Sequence, residues 1–137
     1  MATFNKFNFF TEDLAKKVHN LSTDQLGLAL CATGAAPVAT NHILADLTQI
    51  SYTNLSSRLI TTTSCVQTSG VLKLVLVDLV LTASGTVAGF QYVVLYNTTP
   101  ASGNLIGWYD YGSSLVLANT ETFTTDFDQS GGVLTIT

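Results

Sequence analysis

The stretch from Val71 to Thr82 is apolar on both faces of the β-strand that it predicts. Side chains alternate along a strand with a period of two, and a strand with one face in water should alternate between apolar and polar residues. Here both alternating sets are mostly Val and Leu, and each contains one charged residue, Lys73 or Asp78. The second face therefore needs a cover, which is either the chain's own helix and loops or another subunit, unless a bulge switches the alternation partway.

The stretch from Phe90 to Tyr96 repeats this pattern, because Val94 lies on one face and Val93 and Leu95 lie on the other. A fully buried Val or Leu contributes roughly 1.5–3 kcal/mol to stability. Leaving four or five of them exposed would forgo about 6–15 kcal/mol, as much as the whole stability of a domain. The two stretches indicate a chain that hides apolar surface against its own copies or against a partner.

The first ten residues contain four of the seven phenylalanines in the chain. Termini are usually polar and loose, so this aromatic arm (residues 1–10) either folds back on its own domain or contacts a neighbouring subunit. We predict an assembly interface formed by the arm and by one face of the 71–82 stretch. Its expected residues are Phe4, Phe7, Phe9, Phe10, Val75, Val77, Leu79 and Leu81.

A short amphipathic helix is predicted at residues 11–21. Thr11 is a suitable N-cap residue. Asp13 falls in the first turn and His19 near the end, which are the positions that the helix dipole favours for an acid and a base. The apolar stripe, at the spacing of one helix face, is Leu14, Val18 and Leu21.

After Asp24 the hydrophobic period changes to two, which indicates strands. About eight segments, within a range of seven to nine, are separated by turn residues at close intervals, and this predicts an antiparallel β-sandwich, jelly-roll-like, with residues 11–137 as a single domain. Segment 33–54 is the least regular, and its residues 41–50 suit either a helical turn or an irregular crossing. The predicted strands are 26–30, 58–66, 71–82, 90–96, 105–111, 115–117, 122–127 and 133–137.

The composition restricts the partners. Charged residues make up 10% of the chain, and 21 Thr with 11 Ser supply polarity instead. A net charge of −4 with five basic residues argues against nucleic acid and against an anionic membrane, because both require clustered Lys and Arg. Neither a signal-peptide pattern nor an apolar run of about 18 residues is present, so synthesis in a cytoplasm is expected.

No catalytic residue, metal site or cofactor is predicted. His19 suits the C-terminal end of the helix, and His42 has no motif around it. Ser and Thr are abundant, but a hydroxyl needs a nearby base to become a nucleophile. Cys31 and Cys65 are too few for a disulfide framework and are expected to be reduced, apolar residues.

Two segments partly match binding motifs. Residues 126–131 read as the first half of an EF-hand loop, but the closing Glu is replaced by Thr137, so a hairpin turn without a calcium requirement is favoured. Trp108, Tyr109 and Tyr111 suggest a sugar-stacking platform. Because the two tyrosines share one strand face and the tryptophan lies on the other, packing is favoured over sugar binding.

Several segments together match one group of proteins over nearly the whole chain, with residues 33–63 the weakest part. They are Phe4–Phe7, Phe10–Leu21, Gln67–Gly70, Tyr92–Asn97, Leu105–Ser114, Glu121–Phe123 and Asp126-Phe127. In these segments the chain resembles small proteins encoded in tailed bacteriophages and prophages. The motifs are those of a fold and carry no catalytic signature.

The resemblance implies a structural role in the virion, made in the cytoplasm of the bacterial host. Within that role we expect a capsid decoration (cement) protein that stabilises the head by binding the major capsid protein and its own copies, with a trimer as the implied oligomer. A tail or head–tail junction protein and a glycan-binding surface module are the alternatives. An enzyme is not expected.

Overall fold

The computed structural model describes residues 2–137 and shows a mainly antiparallel β fold with a single short helix, which confirms the predicted fold class. The helix, α1, is Phe9–Ala15, and one turn of 3-10 helix is Leu44–Asp46. The strands are β1 (Phe4–Lys6), β2 (Leu26–Cys31), β3 (Leu59–Ile60), β4 (Thr62–Thr68), β5 (Val71–Leu76), β6 (Leu79–Thr82), β7 (Phe90–Asn97), β8 (Leu105–Leu115), β9 (Thr122–Thr125) and β10 (Leu134–Ile136).

The strands form two layers. The first is a five-stranded sheet in the order β1-β8-β7-β2-β3, and the second consists of a three-stranded sheet, β10-β5-β4, and a two-stranded ribbon, β6-β9. Every pairing of neighbouring strands is antiparallel. The main core lies between the layers, where Leu28 and Leu95 of the first sheet join Leu74, Leu81 and Phe127 in one buried cluster. This arrangement is a β-sandwich.

The second face of the five-stranded sheet is covered by the chain itself. Ala29, Cys31 and Val94 form a smaller buried cluster on this face with Phe7 of the N-terminal arm. Leu44 and Leu47, from the irregular segment 33–54, pack against the same cluster. The doubly apolar strand predicted at 90–96 is thus the buried centre of a sheet, and its second face needs no other subunit.

The predicted strand 71–82 is two strands, and this is a correction. Leu74 and Leu76 of β5 point into the core, and after a break Leu81 of β6 does so too, although it is an odd-numbered residue. The break is held by Asp78, whose Oδ1 accepts the Phe127 backbone N–H at 2.9 Å and the Gln129 side-chain amide at 3.0 Å. The alternation therefore switches at Val77-Asp78, so that Lys73 and Asp78 both lie outside the core.

The helix begins and ends earlier than the predicted residues 11–21. Its N-cap position is Asn8, and the Thr11 hydroxyl donates to the Asn8 carbonyl at 3.2 Å. At its C-terminal end the backbone N–H groups of Lys17 and Val18 donate to the carbonyls of Leu14 (3.2 Å) and Asp13 (2.8 Å). This is the Schellman motif, with Lys17 at φ 64° in the place that glycine usually takes.

The N-terminal arm folds back on its own domain. Strand β1 pairs with β8, with Phe4 opposite Tyr109 and Lys6 opposite Gly107. Phe7 and Phe10 are buried, the first under the five-stranded sheet and the second in the main core. Of the two outcomes open for this arm, the structure shows the first.

Candidate functional site

The outer side of the second layer, in the three-stranded sheet and in the two-stranded ribbon, carries mainly small Val and Thr side chains. Cross-strand partners share a face, so Val66 lies beside Lys73, and Lys73 beside Thr135. In the two-stranded ribbon Val80 lies beside Thr124. We call this surface the Val/Thr face; its residues are Ser64, Val66, Thr68, Val71, Lys73, Val75, Val80, Thr82, Thr122, Thr124 and Thr135.

The Val/Thr face carries a single charged side chain, Lys73, whose Nζ donates to the Ser130 carbonyl at 3.0 Å. Val66 and Val80 are 59% and 50% exposed, and Val77 at the strand break is 45% exposed. Burying a charge in an interface costs several kcal/mol unless it is paired, whereas this face offers methyl groups and hydroxyls. It can therefore be covered by a partner with little loss of charge solvation.

The predicted interface residues divide into three groups. Val75 belongs to the Val/Thr face and Val77 is exposed next to it. Phe7, Phe10 and Leu81 are fully or almost fully buried in the chain's own cores, so their assignment to an interface is wrong. The rest are partly buried, and Phe4 and Leu79 pack against the main core while Phe9 stacks on His42.

A buried polar cluster brings together both histidines of the chain. The Asp13 carboxylate, from a residue only 4% exposed, lies 2.8 Å from Nε2 of His42 and accepts the Asn104 side-chain amide at 2.8 Å. His19 is also 4% exposed, and its Nδ1 lies 3.1 Å from the Asn97 amide nitrogen. His19 thus lies beyond the helix and inside the protein, which overturns its predicted place at a helix end.

The electrostatics of this cluster centre on Asp13. His19 Nε2 is 4.0 Å from the Asp13 carboxylate and has no hydrogen-bond partner among residues 2–137. Burial lowers the pKa of His19, and this outweighs the raising effect of the Asp13 and Asp24 carboxylates. The Asn97 amide also donates to Asp24 at 2.6 Å. The cluster joins α1, the loop around His42, strand β7 and Asn104, the residue before β8.

The cluster places an imidazole on a carboxylate, as a Ser-His-Asp triad does, but a triad also needs a nucleophilic side chain on the histidine. Within residues 2–137 neither histidine is hydrogen-bonded to a hydroxyl or a thiol. Sequence reasoning missed the cluster because its members are up to 91 positions apart. The sequence held one signal for the cluster. Asp13 lies next to the apolar stripe of the helix, where a carboxylate is shielded from water and needs hydrogen-bond donors from the protein.

The aromatic residues that suggested a sugar platform pack against phenylalanines of the same chain. The distances between ring centroids are 4.5 Å for Trp108 and Phe7, 5.3 Å for Tyr109 and Phe4, and 5.1 Å for Tyr111 and Phe123. Tyr109 is buried, and burial raises its pKa to about 12. The three rings are therefore parts of the two cores.

The segment 126–131 forms a turn between strands of different sheets, and not the predicted hairpin. Asp128 Oδ1 accepts the backbone N–H groups of Ser130 at 2.9 Å and Gly131 at 2.7 Å, so this carboxylate closes the turn. No group of three or more metal-ligating side chains is found in residues 2–137. Cys31 and Cys65 are free thiols, and burial raises the pKa of Cys31 to about 11.

Arg58 lines a surface cleft of about 310 Å³ together with Tyr52 and Tyr96. Its guanidinium carbon lies 3.5 Å from the centre of the Tyr52 ring, and the group donates to the Leu28 carbonyl. These contacts attach the loop before β3 to β2. Arg58 therefore has a structural role at the sheet edge.

Comparison of the chain with protein-family models, with curated protein sequences and with solved structures gave no match. In the described part of the chain, no helix is long and apolar enough to cross a membrane.

Proposed function

We propose that this chain is a structural protein of a tailed-bacteriophage particle, and specifically a decoration protein that binds the outer surface of the capsid. The resemblance of its sequence segments to phage-encoded proteins supports the assignment of the chain to a phage particle. The Val/Thr face supports the mode of action, and it is the observation on which the proposal depends.

A decoration protein has to bind a shell at high density. Many copies lie close together on one shell, so like charges on facing surfaces would repel. The Val/Thr face has Lys73 as its only charge and presents Val66 and Val80 to solvent. Protein interfaces are depleted in charged residues at their centres, and this face has that property before any partner is bound.

The face is also rigid, which suits repeated binding to a lattice. It is built on strands rather than on loops, and the leucines on the opposite side of the same strands, Leu74, Leu76 and Leu81, are fully buried. A surface fixed by a packed core loses little conformational entropy on binding. We propose that its partner is the major capsid protein.

Binding of the purified chain to isolated capsid shells of the phage that encodes it tests this proposal. The variant Val80→Lys adds a charge to the ribbon half of the face. The matched control is Val38→Lys, because Val38 is 53% exposed and Val80 50%, and Val38 lies outside this face. We expect Val80→Lys to weaken binding about tenfold or more and Val38→Lys to leave it unchanged.

Co-sedimentation with the shells measures both variants, and circular dichroism confirms that each is folded. Equal binding by the parent chain and both variants would exclude the Val/Thr face as the contact. No binding of the parent chain to shells, combined with its recovery on tails, would favour the tail or junction role instead.

A further inference from the structure

We propose that two copies of this chain join through strand β4, edge to edge and antiparallel, with Val66 on the two-fold axis. The two three-stranded sheets then become one six-stranded sheet. The inference deepens the proposed function, and rests on it for its biological setting, because it names the contact between neighbouring copies.

The outer edge of β4 is open. In the order β10-β5-β4 this strand has a neighbour on one side only. In the described residues no other backbone hydrogen bond reaches positions 63–68, and Val66, Gln67 and Thr68 are exposed. Natural proteins protect such edges with charges, prolines or bulges. Residues 61–72 contain no charged residue and no proline, and the single bulge lies at the start, between Thr62 and Ser64.

The backbone groups at this edge are identified by the hairpin that joins β4 to β5. Ser69 and Gly70 have φ values of 52° and 83° and form a two-residue turn, so Thr68 and Val71 on either side exchange hydrogen bonds. Hydrogen-bonded positions alternate along an antiparallel pair, so the backbone groups of Val66, two residues before Thr68, also bond to β5. Cys65 and Gln67 therefore direct their N–H and C=O groups away from β5, to the open edge.

A contact on the other side of β5 supports this assignment. The Leu74 carbonyl accepts the Val133 backbone N–H at 2.8 Å, so Leu74 directs its backbone toward β10. Cys65 is the partner of Leu74 in β4, and it consequently has no backbone partner in β5. Both observations place the unused groups of β4 at Cys65 and Gln67.

These positions are complementary to themselves in one antiparallel register. With Val66 opposite Val66 of the second copy, each Cys65 lies opposite a Gln67, and the two pairs can form four backbone hydrogen bonds. A register centred on Cys65 would bring Gln67 opposite the bulge, and one centred on Gln67 would bring Cys65 opposite the turn. Only the Val66 register keeps all pairs within residues 64–68.

The side chains agree with this register. Val66 is 59% exposed, and the two copies of it would form a non-hydrogen-bonded pair, with Cα atoms about 4.5 Å apart and side chains on the same face. Ser64 lies opposite Thr68 of the second copy, so no charges meet. The Val/Thr faces of both copies then form one larger surface.

Disulfide trapping in the purified full-length chain tests the register. The background variant Cys65→Ser removes the native thiol of β4, and Cys31 is fully buried. Adding Val66→Cys should give a covalent dimer under mild oxidation, because the two Cα atoms would lie within the limit of about 7 Å for a disulfide. The control is Thr68→Cys in the same background, whose two copies would lie about 13 Å apart along the strands and should stay uncoupled.

A second pair of variants keeps the test independent of disulfide chemistry. Ser64→Cys combined with Thr68→Cys should cross-link, because these residues face each other in the proposed register. Val66→Lys should convert the chain to a monomer in sedimentation equilibrium, with an unchanged circular dichroism spectrum. Equal cross-linking of the Val66→Cys and Thr68→Cys variants, or a parent chain that is monomeric at all concentrations, would overturn the inference.

Failure of the inference is distinct from failure of the proposed function. A chain that binds capsid shells but does not cross-link at Val66 would retain its decoration role and lose the β4 contact. A chain that cross-links at Val66 but does not bind shells would retain the contact and lose the role.

Discussion

The carboxylate of Asp13 lies 2.8 Å from Nε2 of His42, and this contact joins the N-terminal helix to the loop that covers the second face of the central sheet. The side-chain amide of Asn104, the residue before β8, donates to the same carboxylate oxygen. Because Asp13 is almost completely buried, each of these groups depends on the others for its hydrogen bonds. The cluster thus fixes the arm and the loop on the sandwich.

We expect Asp13→Ala to lower the free energy of unfolding by about 2–4 kcal/mol, because it leaves the His42 ring nitrogen and the Asn104 amide without their acceptor. The matched control is Glu12→Ala. Glu12 is an exposed neighbour whose carboxylate pairs with Lys16, and exposed pairs at this spacing contribute little to stability, so its loss should shift the midpoint of urea unfolding much less. Equal effects of the two substitutions would show that the cluster does not stabilise the fold.

Stability should fall as the pH falls below about 6.5, the usual pKa of histidine. Burial lowers the pKa of His19 in the folded protein, so between that pKa and 6.5 the unfolded chain binds more protons than the folded one. Unfolding is therefore favoured by acid in this window. His19→Gln should reduce this slope in a series of melting curves from pH 7.5 to 5, and an unchanged slope would contradict the assignment.

Gly107→Ala should displace strand β1, because a Cβ at this position would overlap the Phe4 ring at Cζ and lie 2.6 Å from the Asn5 carbonyl oxygen. We expect a loss of about 1–3 kcal/mol, as for other overpacked sites. Gly34→Ala is the control, since a Cβ there meets no atom within 4 Å. Hydrogen exchange of the β1 amides measures the local effect, and slow exchange retained in the Gly107 variant would contradict the prediction.

Asp78→Ala should destabilise the fold at the break between β5 and β6, because the Asp78 carboxylate accepts the Phe127 backbone N–H and the Gln129 side-chain amide. The expected cost is about 1.5–3 kcal/mol, the usual contribution of a hydrogen bond to a charged group. Asp78→Asn retains one oxygen acceptor and should cost less. If the two substitutions were equally destabilising in urea titrations, the acceptor role of Asp78 would be excluded.

The sandwich itself could be predicted from the sequence, because alternation with a period of two depends on local residues alone. A switch of the alternation within 71–82 was one of the alternatives that the sequence left open, but its position was not predicted, since a contact between Asp78 and Phe127, 49 positions away, fixes it. The helix end was missed for a different reason. Its Schellman motif uses Lys17, whereas the sequence signal for this motif is glycine.

The candidate site was predicted only in part. Val75 and Val77 were expected at an interface and lie on or beside the exposed face, because a β-branched apolar run signals a sheet surface. Phe7, Phe10 and Leu81 were assigned to the same interface, but they fill the chain's own cores. Whether an apolar residue faces a core or a partner depends on the tertiary fold, and a single sequence does not contain that distinction.

The number of copies of this chain per purified phage particle tests the decoration role most directly. Quantitative mass spectrometry, with the major capsid protein as the internal standard, gives this ratio, and a density map of the head locates the copies. We predict a fixed ratio to the capsid subunits, with the chain on the outer surface of the shell and its Val/Thr face at the contact. Absence from the particle, or a few copies confined to the tail or the head–tail junction, would contradict it.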